Sequence, residues 1–160
     1  ESPVFSYLCR MLGNLHEAED AAQEVLITVL RKLHRYREQG HFKAWVFRIA
    51  YRQGLKSIRT RGRRRESNTE LPDGEALELP DLSVMSPDAE MTTRETLLRL
   101  DAAIQGLPEA ERVVVSLHVE QGLTFREIAE TMGGSINTAL GRMRNARKRL
   151  RDLLEQGGEQ

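Results

Sequence analysis

Apolar residues recur every three or four positions along most of the chain, a spacing that is typical of amphipathic α-helices. Glycine, proline or asparagine separates the periodic stretches from one another. Alternation of apolar and polar residues at the period of a β-strand is short wherever it occurs. The pattern therefore predicts an all-α protein, with helices over residues 1–14, 16–36, 42–61, 86–105 and 107–122 and a final helical stretch over 123–154.

The final stretch predicts two helices joined by a tight turn. Thr124 can cap the first helix, and Glu127 three residues later completes a capping box. Gly133 and Gly134 allow a sharp turn, and Ser135 can cap the second helix. Helical spacing puts one set of apolar residues on one side of the second helix: Ile136, Ala139, Met143, Ala146, Leu150 and Leu153. The same spacing predicts a polar set on the opposite side: Thr138, Arg142, Asn145 and Arg149.

A short helix, a tight turn and a longer helix are typical of the helix-turn-helix of DNA-binding proteins. Residues 141–151 include six basic residues and no acidic residue, a density that suits contact with phosphates. Arginine and asparagine on the polar side can pair with guanine and adenine in a major groove. The alternative is an ordinary helical hairpin with a solvated basic face.

The helix predicted over 42–61 combines aromatic and basic residues, with Phe42 and Trp45 at its start. Its basic residues are Lys43, Arg48, Arg52, Lys56 and Arg59. Because aromatic rings stack on unpaired bases while arginine holds phosphates, this mixture indicates contact with single-stranded nucleic acid. Trp45 is equally compatible with a place in the core, and partial burial would serve both roles.

The formal net charge of zero hides a strong segregation of charge. Residues 31–65 carry thirteen basic residues and one acidic residue, whereas residues 71–110 carry nine acidic and two basic residues. Residues 66–87 contain three prolines and no helical period, which is typical of a linker. We therefore predict two small helical domains, over 1–65 and 88–160, joined by a flexible acidic linker over 66–87.

Residue types that support catalysis or metal binding do not cluster in the sequence. The four histidines are scattered, and the single cysteine, Cys9, can neither form an internal disulfide nor build a zinc site. Gly133-Gly134 lacks the Lys-Ser/Thr that follows a phosphate-binding loop. No apolar run approaches the length of a membrane span. We therefore expect a cytoplasmic protein that is not an enzyme and binds neither a metal nor a cofactor.

Five motifs in order resemble those of the extracytoplasmic-function (ECF) sigma factors, the small promoter-specificity subunits of the sigma-70 family. In the first half, DAAQEV at residues 20–25 and FKAWVFRIA at residues 42–50 are similar to the family patterns D-x-x-Q-E-V/F and F-x-A-W-L-x-x-I-A. In the second half, LPEAER at residues 107–112 and GLTFREIA at residues 122–129 are similar to L-P-x-x-x-R and G-L/M-S/T-x-x-E-I-A. The final helix, over residues 137–150, is similar to G-T-V-K-S-R-L-x-R-A-R-x-x-L.

The resemblance implies a role for each matched surface. Asp20, Gln23 and Glu24 would bind core RNA polymerase at its β′ clamp helices. The melted −10 element of promoter DNA would be read by Phe42, Lys43, Trp45, Arg48, Arg52, Gln53, Lys56 and Arg59. The −35 duplex would be read by Ser135, Asn137, Thr138, Arg142, Asn145 and Arg149. A second contact to the polymerase, at the β flap, and control by an anti-sigma factor are implied as well.

The sequence departs from the family pattern at two places. Arg52-Gln53 and Lys56 stand where the family usually has Asn and often a later Asp, and Leu140-Gly141 replaces Lys-Ser in the final helix. The departures at Arg52, Gln53 and Lys56 leave open a sigma mimic that only binds an anti-sigma factor. A second alternative is a conventional helix-turn-helix regulator. A mimic would not need the arginines of the final helix, and a regulator would not need the motif at residues 20–25.

Overall fold

The computed structural model describes residues 2–67 and 87–156. Its elements are α1 (Pro3–Leu12), α2 (Leu15–Leu33), α3 (Phe42–Ser67), α4 (Pro87–Gln105), α5 (Glu109–Val115), a π-helical segment (Ser116–Glu120), α6 (Phe125–Met132) and α7 (Ile136–Gln156). These two ranges contain no β-strand, and the all-α class is confirmed. The helix α3 continues past its predicted end, while the predicted linker over 66–87 and the cap at Ser86 lie almost wholly outside the described residues. The domain limits therefore stay predictions.

The first half, α1 to α3, is a three-helix unit in which each helix packs on the other two. A left-handed Gly13, with φ of 63°, ends α1, and the Asn14 side chain then accepts a hydrogen bond from the Glu17 amide to begin α2. Tyr7 on α1 and Phe47 on α3 are buried and meet edge to face, with ring centroids 5.4 Å apart. The aromatic pair fixes α1 against α3.

The second half, α4 to α7, contains the predicted helix-turn-helix in α6 and α7. The capping box is present, because the Thr124 hydroxyl accepts from the Glu127 amide and Glu127 accepts from the Thr124 amide. Gly133 ends α6 in the left-handed region, and the Ser135 hydroxyl accepts from the Thr138 amide at the start of α7. These local expectations are confirmed.

The two halves pack against each other in this structure. The helices α1 and α3 contact α5, the π-helical segment and α6. Buried side chains of both halves form one continuous apolar cluster, which includes Leu8 and Phe47 from the first half and Leu117 and Ile128 from the second. Arg10 on α1 adds two ion pairs across the contact, to Asp101 on α4 and Glu120 at the end of the π-helical segment.

Candidate nucleic-acid and protein interfaces

Most of the residues predicted to read duplex DNA lie on the solvent-exposed surface of α7 and the turn before it. Ser135, Asn137, Thr138 and Asn145 are exposed. The hydroxyls of Ser135 and Thr138 lie 2.9 Å apart, so the cap at the start of α7 already engages both. The N-terminal end of α7 thus presents short polar side chains, which is where a recognition helix contacts base edges.

The predicted placement of Arg142 and Arg149 on the side opposite the apolar stripe is wrong. Arg142 is half-buried, with its Nη1 3.7 Å from the Met132 sulfur. Arg149 is exposed, but its Nε lies 3.2 Å from an oxygen of the buried Glu111 on α5. Both arginines therefore flank the buried stripe, and Glu111 holds one of them.

The reason is the spacing of residues along α7. Its buried stripe is centred on Ala139 and Ala146, as predicted, whereas Ile136 and Leu153 are about two-fifths exposed. Arg142 and Arg149 each follow one of these alanines by three positions, which is about 60° around a helix at 100° per residue, so both lie beside the stripe and not opposite it. The outward side carries Asn137, which the sequence analysis named, together with Arg144 and Lys148, which it did not name.

An aromatic cluster lies at the start of α3. The ring of Trp45 is 5.6 Å from that of Phe42 and 4.9 Å from that of Tyr36, measured between centroids. Trp45 is half-buried, whereas Phe42 is exposed, so the cluster has an inner and an outer part. Tyr36 comes from the segment after α2 and was not predicted; an aromatic residue within a run of basic residues was its only sequence signal.

The polar candidates of α3 divide into accessible and engaged residues. Lys43, Arg52, Lys56 and Arg59 are exposed, and Gln53 is half-buried. Arg48 is half-buried, and its Nη2 lies 3.0 Å from an oxygen of Glu130 on α6.

The turn before α3 makes a similar contact, because Nδ1 of His41 lies 3.1 Å from an oxygen of Glu127. The pKa of the Glu127 carboxyl is held below its usual range, chiefly because the Thr124 amide donates to it. The helix α6 therefore covers part of the basic surface of α3.

The candidate polymerase-binding surface lies on α2, where Asp20, Gln23 and Glu24 are exposed. The apolar residues of α2 lie on two sides of the helix. Its buried side consists of Ala18, Ala21 and Val25. Its other side is open to solvent, with Leu26 and Leu30 60% and 62% exposed and Leu33 also exposed. An exposed row of leucines beside carboxylates is typical of a protein-binding surface.

Other kinds of site find no support in the part of the chain that the structure describes. No group of three or more histidine, cysteine, aspartate or glutamate side chains there is arranged to hold a metal ion. None of the helices over 2–67 and 87–156 combines the length and hydropathy that crossing a membrane requires.

Comparison with known proteins matches each half of the chain to a separate sequence model. The sequence model of Sigma-70 region 2 matches residues 1–64, and that of Sigma-70, region 4 matches residues 97–150. The sigma factor ShbA of Streptomyces griseus is 35% identical and SigW of Bacillus subtilis is 30% identical, each over 94% of this chain and over 79% and 84% of the relative. SigE of Mycolicibacterium smegmatis is 34% identical over 94% of this chain, which spans 57% of that protein.

The solved structures that share the fold include RpoE and CnrH. The sigma factor RpoE, crystallised with the anti-sigma factor NepR from Bartonella quintana, superposes with a TM-score of 0.80 and 23% identity, covering 95% of this chain and 89% of that chain. CnrH, in complex with the cytosolic domain of CnrY, gives a TM-score of 0.63 and 20% identity over 96% of this chain and 81% of that chain. The two region matches, the full-length relatives and the shared fold agree, and the chain belongs to the ECF sigma factors of the sigma-70 family.

Proposed function

We propose that this chain binds core RNA polymerase and directs it to promoters that carry a −35 and a −10 element. The observation that carries the proposal is the presence of two surfaces of different chemistry in one chain: an aromatic and basic helix in the region 2 match, and an arginine-rich helix-turn-helix in the region 4 match. The first suits unpaired bases and the second suits a duplex groove.

The −10 element is captured at the start of α3 in this proposal. The exposed ring of Phe42, with Trp45 and Tyr36 behind it, offers a stacking surface for an unpaired base. The exposed cations of α3 then hold the phosphates of the same strand, and the residues that contribute are Lys43, Arg52, Lys56 and Arg59, with Gln53 beside them and Arg48 once released from Glu130.

The −35 element is read by α7. Ser135, Asn137, Thr138 and Asn145 lie where base edges and nearby phosphates would be contacted, while Arg144 and Lys148 face outward with them. Arg142 and Arg149 contribute from the edge of this surface, because contacts within the protein already hold them.

The core enzyme is bound mainly through α2. Asp20, Gln23 and Glu24 supply carboxylate and amide groups for the β′ clamp helices, and the adjacent Leu26 and Leu30 supply apolar area that would be buried on binding. The second half would contact the β flap. The chain itself contributes no catalytic group in this scheme, because the polymerase performs the chemistry, and a cytoplasmic location follows from the role.

Control by an anti-sigma factor is part of the proposal. Two solved structures that share this fold are complexes, one with the anti-sigma factor NepR and one with the cytosolic domain of CnrY. The exposed leucines of α2 and the basic surfaces of α3 and α7 are the areas that an inhibitor would need to cover.

The test is promoter-specific transcription. The purified chain is added to core polymerase with genomic fragments as templates, and the 5′ ends of the transcripts are mapped. Discrete new start sites that require the chain are expected. Core binding without start sites would favour a sigma mimic, and duplex binding without core binding would favour a conventional regulator.

A further inference from the structure

Leu140 is an exposed apolar residue on the outer surface of α7. Its side chain is 40% exposed, and it belongs to neither of the apolar clusters that the described residues form. At 100° per residue Leu140 lies about 100° around the helix from the buried Ala139, so it lies outside the packed stripe. Its neighbours one helical turn before and after are Asn137 and Arg144, which are both exposed. Leu140 therefore places an apolar side chain between polar ones on the surface that faces solvent.

Gly141 lies beside Leu140, between the same two polar residues. A Cβ built on Gly141 would meet nothing within 4 Å, so the missing side chain makes no room for another part of the described chain. A glycine inside a helix lowers the stability of that helix, and glycine is also the residue that lets a ligand approach the backbone closely. The outer surface of α7 therefore has a recess beside Leu140 that packing within the described chain does not explain.

The base pairs of a duplex present hydrogen-bonding groups and one kind of methyl group in the major groove. Donors and acceptors distinguish guanine, cytosine and adenine there, whereas thymine adds its C5-methyl group. Leu140 can make only an apolar contact with a base. It is the fifth residue of α7, and the N-terminal part of a recognition helix is where base edges are contacted. The C5-methyl group of a thymine is therefore the feature of the groove that matches this side chain.

The surroundings of Leu140 favour DNA over an apolar protein surface as its partner. Arg144 and Lys148 are exposed on the same side of α7, and residues 141–151 include six basic residues and no acidic residue. Phosphates suit such a surface. A partner that covered Leu140 with apolar side chains would have to remove these cations from water, which costs free energy unless they are paired.

We propose that Leu140 is a specificity-determining residue, whose side chain packs on the C5-methyl group of one thymine in the −35 element while the recess at Gly141 gives the base edge room. The inference deepens the proposed function and rests on it. The family pattern has Lys-Ser at these two positions, so this chain reads a methyl group where that pattern offers hydrogen-bond donors.

The experiment replaces thymine by deoxyuridine, which lacks only the C5-methyl group and keeps the same base pairing. Holoenzyme is assembled from the full chain and core polymerase, and a promoter found by transcript mapping supplies the duplex. Each thymine of the −35 element, on either strand, is replaced in turn, and an electrophoretic mobility shift measures the affinity of the holoenzyme. We expect one position at which deoxyuridine weakens binding about fourfold, the factor that corresponds to one buried CH₂ group.

Leu140→Ala tests whether Leu140 reads that position. The shortened side chain should bind the thymine and deoxyuridine duplexes equally well, so that the ratio between the two affinities disappears. The matched control is Leu154→Ala, the same change at a residue of α7 that is 41% exposed, and it should keep the full ratio. A purely structural effect would weaken the binding of both duplexes together and leave their ratio unchanged. The wild-type series requires no variant, so it tests the inference even if Leu140→Ala does not fold.

A wild-type holoenzyme that binds every deoxyuridine duplex as tightly as the thymine duplex would overturn the inference, as would a −35 element without an A·T pair. A deoxyuridine effect that persists in Leu140→Ala would assign the methyl contact to another residue and overturn it as well. These results leave the proposed function standing, because the start sites have by then been found. Absence of discrete start sites on every template would instead reject the proposed function, and this inference with it.

Discussion

Gly54 and Gly141 lie inside helices of this protein for different reasons. A Cβ built on Gly54 of α3 would lie 2.5 Å from the sulfur of Met11 on α1, whereas a Cβ on Gly141 of α7 would meet nothing within 4 Å. Gly54 therefore allows close approach of two helices, and Gly141 only lowers the helix propensity of α7.

Gly54→Ala should destabilise the protein by about 1 kcal/mol, since overpacking costs roughly 1–3 kcal/mol and the gain in helix propensity returns up to about 1 kcal/mol. Met11 is 2% exposed, so its side chain has little room to move aside. Urea denaturation with a common slope measures the difference. An unchanged or raised midpoint would show that Met11 accommodates the methyl group.

Gly141→Ala is the matched substitution at an open helical site. It should stabilise the chain by up to about 1 kcal/mol, because alanine restricts the unfolded backbone and favours the helix. The same denaturation series measures it. A loss of stability here would mean that the backbone at Gly141 is less helical than the structure has it.

The direction of α7 can be tested through its arginines. Arg144 is exposed on the outward face, whereas Arg142 is half-buried beside Met132. We expect Arg144→Ala to weaken binding to a promoter duplex and to lower the slope of log affinity against log salt by about 1, as the loss of one phosphate contact does.

Arg142→Ala should change that slope less, because its guanidinium is already held within the protein. Both affinities are measured over a salt titration on one duplex found by transcript mapping. A larger loss of duplex affinity for Arg142→Ala than for Arg144→Ala would favour the DNA-binding face of α7 that the sequence analysis predicted.

At the scale of the helix, the sequence predicts those features that depend only on residues close together in the chain. The capping box of Thr124 and Glu127, the turn at Gly133 and the cap at Ser135 use hydrogen bonds or backbone angles within a few positions, and each is present. Which side of a helix is buried depends on distant elements instead. The apolar stripe of α2 is wider than the surface that α1 and α3 cover, and periodicity alone cannot show which edge stays open.

The error in α7 has a different cause. Ala139 and Ala146 already belonged to the predicted apolar face, and they are the residues buried at its centre. Arg142 and Arg149 follow them by three positions, so helical spacing itself puts these arginines beside the face, whereas Arg144 and Lys148 lie on the outward side and are exposed.

The capping box of α6 gives a pH-dependent contribution to stability. The hydrogen bond from the Thr124 amide lowers the pKa of Glu127 in the folded state relative to an ordinary value of 4.5. Because the folded pKa is the lower one, the stabilisation is complete above the ordinary pKa and is lost as the pH falls through the folded pKa.

Glu127→Ala should therefore lower the free energy of unfolding by about 1 kcal/mol at pH 7. The difference in this free energy between the variant and the parent chain should narrow as the pH falls below about 4.5. Comparing the variants in a His41→Asn background removes the charge of the neighbouring ring from the result. Denaturation at several pH values measures this difference in stability, with Glu155→Ala as an exposed control. A difference that is constant with pH would mean that the carboxylate charge adds nothing to the cap.

At the scale of the whole molecule, sequence predicts the two halves but not their contact. Each half has its own motifs, and the family regions match them separately over 1–64 and 97–150. The contact between the halves joins residues that are about 80 to 110 positions apart, such as Arg10 with Glu120 and Arg48 with Glu130. No local pattern marks such pairs, because an exposed arginine and a partnered arginine look alike in a helical period.

The leucines left open on α2 give the sharpest test of the polymerase-binding surface. Leu30 is 62% exposed, so Leu30→Asp should leave the stability within about 0.5 kcal/mol of the wild type. It should weaken core-polymerase binding at least about tenfold, since a carboxylate would have to be buried in an apolar contact. Val119→Asp makes the same change at a position that is 69% exposed in the second half, and it should leave that affinity unchanged. Equal affinities for both variants would separate the exposed leucines from polymerase binding, and the polar motif at Asp20, Gln23 and Glu24 would then have to carry the contact without them.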